Sequence, residues 1–375
     1  RARMNGEAPV LTSLSVDLLW RVAEELDELC LASFAAACSA CRAAAQAELR
    51  AALLAAVKRC LGGAGPIGNN LIACPYFCLP NDLVVSRLSG KRGSLPANTF
   101  RGCTNLKSLS LLGNLAALSS IGNQAFRDCT ALSRCVLPTA LLTVGESAFR
   151  RCTSLAEIAL PATLHTIGSY AFFDCHSLTE LTLPAALTTL GDESFRACTS
   201  LTELDLSAVT ATIGKGAFAN CTGLVKLTLP ATLDKLSDNA FYGCTALVEL
   251  TLPAAMTSIG DAAFASCTSL TTVTFPAESK LTVIGDYAFR CCRSLTKLAF
   301  PDGLIAVGKY AFLDCTSLTL PWPAPATLVS IGYSAFRGCP WLTELPNQPR
   351  RPHHHYRRVR FLLQHISGQI SHRAQ

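Results

Sequence analysis

The stretch Ala171-Phe172-Phe173-Asp174-Cys175-His176-Ser177-Leu178-Thr179-Glu180-Leu181-Thr182-Leu183-Pro184 runs on through Ala185-Ala186-Leu187-Thr188-Thr189-Leu190-Gly191. Asp192-Glu193-Ser194-Phe195-Arg196-Ala197-Cys198 then opens the same pattern again. The phenylalanine anchor recurs eleven times, at Phe100, Phe126, Phe149, Phe172, Phe195, Phe218, Phe241, Phe264, Phe289, Phe312 and Phe336. Successive gaps are 26, then 23 six times, then 25, 23 and 24. A near-constant period of this size marks a solenoid, in which each unit buries its apolar side only against its neighbours.

Within one unit, Leu178, Leu181 and Leu183 supply the inward side chains of a short strand, with the period of two that a strand requires. Pro184 ends that strand, because it has no N–H to give to a ladder. Leu187 and Leu190 form a second short inward segment. Gly191 is read as a sharp turn taken at positive φ, and Glu193 to Cys198 as a short helical or 3₁₀ turn that plugs Phe195 into the interior. Glycine holds the corresponding place at 122, 145, 168, 214, 260, 285, 308 and 332, whereas Pro96 and Ser237 break the rule. Thr153, Ser154, Thr199 and Ser200 follow the cysteines, where hydroxyls serve turn backbone that would otherwise be unpaired.

Upstream the pattern changes. Leu14, Leu18, Leu19, Val22 and Leu26 recur at helical spacing, so residues 11–61 are expected to be a small all-α region. Gly62-Gly63-Ala64-Gly65-Pro66 breaks it, and 62–94 reads as linker and irregular cap, with Leu83-Val84-Val85 as a first strand. The regular repeats occupy 95–346 and a basic tail 347–375. The expected fold is a repeat solenoid, mainly β with short 3₁₀ or helical turns, behind that helical region.

Half of the 375 residues are apolar and 15% are charged, which excludes global disorder. The net charge of +6 sits in the tail, whose six arginines (350, 351, 357, 358, 360, 373) face no acid. The other 26 basic residues balance 26 acidic ones, so the body is neutral and a nucleic-acid reading would rest on the tail alone. With Glu7, Asp17, Glu24, Glu25, Asp27 and Glu28 in the first 30 residues no secretory signal is visible there, and Arg42, Glu48 and Arg50 break the Ala-rich stretch 31–57, which is therefore not read as a membrane span. Eleven of the 19 cysteines are one repeated position, three residues after each Phe: Cys103, Cys129, Cys152, Cys175, Cys198, Cys221, Cys244, Cys267, Cys292, Cys315 and Cys339. Free cysteine is a small, readily buried hydrophobe. A stacked ladder of reduced thiols is therefore expected, and with it an intracellular, cytoplasmic location.

The repeat Ala-Phe-x-x-Cys-Thr-Ser-Leu-x-x-Leu-x-Leu-Pro, nearly complete at Ala171–Leu178 and at Ala263–Leu270, resembles the BspA-like class of leucine-rich repeats over about two thirds of the chain. Members of that class are non-enzymatic and include surface proteins that bind host or matrix proteins. The resemblance thus implies a protein-binding scaffold or a secreted or surface adhesin. Residues 14–42 also resemble an F-box, with Leu14, Leu18, Leu19, Val22, Leu26, Asp27, Leu31, Cys38 and Arg42 in register, although Ser15, Ala37 and Cys41 replace its Pro, Val and Trp. That resemblance implies a substrate adaptor whose Leu14, Leu18, Leu19, Val22 and Leu31 contact the linker subunit of a cullin ubiquitin ligase. A capping helix bundle explains the same residues.

No catalytic constellation stands out, so no enzyme activity is expected. His165 and His176 occupy polar repeat positions, and Gly214-Lys215-Gly216 lacks the flanks of a phosphate loop. Cys38-x-x-Cys41 and Cys74-x-x-x-Cys78 have zinc-like spacing, but the first pair lies among small residues suited to close helix packing; no metal or cofactor is expected. His353-His354-His355 belongs to the solvated tail, and the sequon Asn220-Cys221-Thr222 shares its Cys with the buried ladder.

Candidate binding residues follow from the repeat. Five residues after each ladder Cys, the outward strand position holds Arg134, Glu157, Glu180, Glu203, Lys226, Glu249, Thr272 and Lys297. This face has no aromatic anchor, although binding hot spots favour Trp, Tyr and Arg. Tyr170, Tyr242, Tyr287, Tyr310 and Tyr333 stand on the turn beside the plug Phe, and Tyr170, Tyr287 and Tyr310, each two residues before its Phe, form a second candidate surface on the turn edge.

Overall fold

The structure of the protein, a computed structural model, describes residues 82–84, 93–104, 106–110, 118–296, 298–319 and 325–339. The helical region with its F-box-like residues Leu14, Leu18, Leu19, Val22 and Leu31, the cysteines at 38, 41, 74 and 78, Lys297 and the basic tail lie outside them.

The described chain is a parallel β-solenoid with two strand series. Three-residue strands at Asp82–Val84, Ser108–Ser110, Arg134–Val136 and Glu157–Ala159 form one parallel sheet, and the pairs Glu203–Asp205 with Lys226–Thr228 and Glu249–Thr251 with Thr272–Thr274 continue the series. Where described, their central residue is buried and its two neighbours are exposed. Two-residue strands form the second series: six from Ser94–Leu95 to Thr212–Ile213 in one sheet, and five from Lys235–Leu236 to Ser330–Ile331 in another. Between the series, the carbonyl of the closing proline accepts the N–H of the residue three further on, as from Leu187 to Pro184 at 3.0 Å. Proline thus ends the strand and opens the turn at once.

The core is a set of stacked ladders. Successive anchor phenylalanines lie ring on ring, with centroids 4.8 to 5.6 Å apart and planes within 15°. From Phe100 to Phe312 none has measurable exposure. Parallel rings are offset-stacked at such distances, a contribution of about 0.5–1.5 kcal/mol per pair beyond area burial.

Two expectations about the turn are corrected. The segment around each Phe is not a helical turn: among the described residues there is no helix. Positive φ occurs two residues before and two after the Phe, at Gln124 (57°) and Asp128 (62°) around Phe126, and at Glu193 (52°) and Ala197 (61°) around Phe195. This alternation points every second N–H out of the coil. Gln124, Phe126 and Asp128 donate forward to the carbonyls of Glu146, Ala148 and Arg150 at 2.8, 2.7 and 2.8 Å, while Ala125, Arg127 and Cys129 bond back three residues within their own coil. A helix would turn all its N–H groups along its own axis and leave the neighbouring coil's carbonyls unpaired.

The recurrent glycine is also not at positive φ. Its reason is closeness. A Cβ on Gly122 would lie 2.6 Å from Ala97 N and 2.7 Å from Leu95 O, and one on Gly214 would lie 2.5 Å from Gly191 C and 2.6 Å from Asp192 N. The backbones of adjacent coils touch here, and Gly214 N–H donates to Leu190 O at 2.9 Å. At Ser237 the hydroxyl donates to Ile213 O at 2.5 Å, the carbonyl in register with Leu190 O. Among the described residues no helix is long and apolar enough to cross a membrane.

Candidate functional site

Reactive side chains inside the coil are committed to holding it together. Each ladder thiol from Cys129 to Cys339 donates its S–H to the carbonyl of the Phe one coil earlier, at 2.9 Å for Cys129 to Phe100 and 3.1 to 3.4 Å for the rest. The same carbonyl takes the N–H of its own coil's Cys, as Phe126 O does from Cys129 N at 3.2 Å. The cysteine is therefore a hydrogen-bond donor as well as the small hydrophobe read from sequence. All described cysteines are free thiols. Burial pushes the Cys221 and Cys267 thiols up to about 12, and Cys135, buried beside the ladder, to about 12 as well. A buried thiol whose proton is held this firmly and already given to a carbonyl is a poor nucleophile at neutral pH. Among the described residues no group of three or more His, Cys, Asp or Glu is placed to hold a metal.

Threonine hydroxyls at the coil surface bond from coil to coil in the same way. Thr153 and Thr199 donate to the carbonyls of Thr130 and His176 one coil earlier, at 3.4 and 3.5 Å, and Thr179 and Thr271 to those of Ala156 and Val248.

The strand-face candidates are all exposed: Arg134, Glu157, Glu180, Glu203, Lys226, Glu249 and Thr272. Parallel pairing sets Arg134 beside Glu157, Glu203 beside Lys226, and Glu249 beside Thr272. Lys226 Nζ comes within 3.8 Å of Glu203 Oε2. Both groups are solvated, so the pair contributes at most about 1 kcal/mol.

The turn edge holds the aromatic candidates in two separate groups. Tyr170 is half-buried, with the Arg150 guanidinium 5.7 Å from its ring. Phe173, which the sequence reading passed over, lies between two guanidinium groups, Arg150 at 4.8 Å and Arg196 at 5.6 Å. Five coils on, Tyr287 and Tyr310 stack at 5.0 Å with planes 14° apart, and Tyr333 meets Tyr310 edge-on at 5.5 Å. Arg290 lies 5.9 Å from the Tyr287 ring. Tyr333 stands three residues before its Phe, at the repeat position that Lys309 holds one coil earlier, so repeat position alone did not reveal that it meets Tyr310.

Stacked coils with parallel short strands, a phenylalanine and cysteine spine and variable outward columns define a leucine-rich-repeat solenoid. The profile of the BspA type leucine rich repeat region matches residues 86–202, 119–248, 188–319 and 234–349 in overlapping copies, and the chain belongs to that family. Among solved structures it is similar to a Treponema pallidum leucine rich repeat protein (30% identity, 51% of this chain and 83% of that one, TM-score 0.39). It is also similar to a leucine rich cell surface protein of Faecalibacterium prausnitzii (21% identity, 75% and 90%, TM-score 0.41) and to the pneumococcal vaccine antigen PcpA (20% identity, 69% and 71%, TM-score 0.39). No curated protein matches the chain.

Proposed function

We propose that this protein is a non-catalytic scaffold that presents its strand face and its turn edge to a protein partner. One observation carries the reading: the recurrent thiols and hydroxyls bond coil to coil, whereas the exposed columns change residue from coil to coil. Conserved geometry with a varied outer surface is what a recognition solenoid needs. The ladder thiols, free and used as donors, suit a compartment that keeps thiols reduced, in keeping with an intracellular site of action.

Photo-crosslinking in the native cell tests this. A crosslinkable residue is placed at Glu180 on the strand face, at Tyr310 on the turn edge, and at buried Leu178 as a control. Discrete protein adducts from at least one surface position, and none from the control, are expected. Absence of any protein adduct from either surface would sink the scaffold reading.

A further inference from the structure

Cations on the turn edge fall into two regimes. In the earlier coils four of them are matched by carboxylates, Arg127 with Asp128 at 3.3 Å, Arg151 with Asp174 at 3.7 Å, Arg196 with Glu193 at 2.8 Å, and Lys215 with Asp238 at 3.1 Å, whereas Arg101 bonds Asn98 and Arg150 lies over the Tyr170 and Phe173 rings. In the last three coils Arg290, Lys309 and Arg337 are exposed, and Arg293 is exposed at the exit of the same turn. Among the described residues none of these four enters an ion pair. The carboxylates on this stretch are Asp286 and Asp314, and Asp286 Oδ1 already accepts the Lys309 N–H at 2.6 Å. The stretch therefore carries an excess of two positive charges in a body whose charges sum to zero.

The tyrosines are on the same stretch. Tyr287 is 37% and Tyr333 51% exposed, and the stacking of Tyr287 on Tyr310 fixes both rings before any partner arrives. Among the described residues their hydroxyls have no hydrogen-bond partner. Rigid tyrosines beside unpaired arginines are the composition of a binding hot spot. Phenol O–H and guanidinium N–H are both donors, and a carboxylate accepts from both.

Spacing selects the form of the ligand. Arg290 and Arg337 each follow their Phe directly and lie two coils apart, roughly 10 Å at the ~4.8 Å spacing of neighbouring strands. A polyproline II segment has three residues per turn and rises ~3.1 Å per residue, so side chains three apart lie on one side about 9 Å from each other. A continuous phosphate or sulfate backbone fits less well, because Asp286 and Asp314 interrupt the cations.

From these observations we infer that the turn edge of the last three coils is a docking strip for an extended acidic protein segment with carboxylates three residues apart, those carboxylates taken by Arg290 and Arg337 and the segment's backbone laid along Tyr287, Tyr310 and Tyr333. The inference rests on the scaffold reading and names the partner's chemistry and its site.

The test is fluorescence anisotropy with the full chain and a labelled peptide of repeated Glu-Pro-Pro, with heparin and a single-stranded oligonucleotide as competing polyanions. Arg290→Glu with Arg337→Glu is expected to weaken peptide binding at least about tenfold and to flatten its salt dependence. Lys235→Glu in the second strand series, and Arg357→Gln with Arg358→Gln and Arg360→Gln in the tail, should leave it within about twofold. No measurable peptide binding, or binding lost with the tail arginines instead of the edge arginines, overturns the proposal. Heparin or oligonucleotide bound more tightly than the peptide, and lost with the edge arginines, overturns it in favour of a polyanion site. Any of these outcomes beside protein adducts in the crosslinking experiment leaves the scaffold reading intact.

Discussion

At Cys221 the thiol meets two demands at once: it fills a space with no solvent access and gives its proton to Phe195 O at 3.2 Å. Alanine meets neither. Cys221→Ala is expected to cost about 1–2 kcal/mol, part cavity and part lost donor, read as a lower urea midpoint. Serine keeps a proton to donate, but its hydroxyl sits on a shorter bond and needs a closer acceptor, ~2.7–2.8 Å, than the coil spacing supplies. Cys221→Ser should therefore be no more stable than Cys221→Ala; a serine variant as stable as the parent would show that the S–H bond contributes nothing specific. Phe218 carries more. It stacks at 5.5 Å on Phe195 and at 5.5 Å on Phe241, so Phe218→Ala removes two ring contacts as well as the buried ring, and a loss of about 3–5 kcal/mol is expected.

At the scale of one turn, the chain places two kinds of unusual residue in opposite positions from those that side-chain type alone implies. Glycine stands at ordinary φ where backbones touch, while serine, tyrosine, glutamate, alanine and arginine stand at positive φ. Opposite substitutions follow. Gly214→Ala sets a Cβ 2.5 Å from Gly191 C, a backbone atom held by the neighbouring coil, and is expected to destabilise by several kcal/mol, at or beyond the upper end of the ~1–3 kcal/mol typical of overpacking. Ala197→Gly relieves a left-handed residue at φ 61° and is expected to be neutral or to stabilise by up to about 1 kcal/mol, the strain relief being partly offset by the freer unfolded chain. Thermal melts of the two variants check both signs, and a destabilised Ala197→Gly would show that the alternating turn stores no strain. The same contrast explains what the sequence could tell. Strand, proline stop and inward leucines were legible, because apolar period and missing N–H groups act within the coil that contains them. The turn was not, because its alternation is imposed by carbonyls one coil away, and Glu193 or Ala197 carries no left-handed signal of its own. The candidate surfaces were legible as columns, but the stacking of Tyr287 on Tyr310, the continuation to Tyr333 and the Arg150–Phe173–Arg196 sandwich depend on contacts between coils.

Over the whole solenoid the thiols act together. Burial raises the Cys135, Cys221 and Cys267 thiols to about 12, and it raises the thiols at 129, 152, 175, 198, 244 and 292 as well. In the unfolded chain they ionise near their usual value of 9.0. Above that pH the unfolded state has lost protons that the folded state still holds, so stability falls as pH rises. It is fully present below the unfolded value and declines through the interval up to the folded one. Each protected thiol removes about 1.4 kcal/mol per pH unit in that interval. With the thiols lined up in one cooperative stack, the losses add over a single transition. Urea midpoints measured with reductant at several pH values should be level up to the usual thiol value and fall steeply above it. Returning to neutral pH should restore them, and Cys135→Ala should make the fall shallower. A midpoint that stays level until well above pH 10, where tyrosine and lysine begin to ionise, would mean that the spine does not hold its protons and that ring stacking and strand pairing alone keep the coils in register.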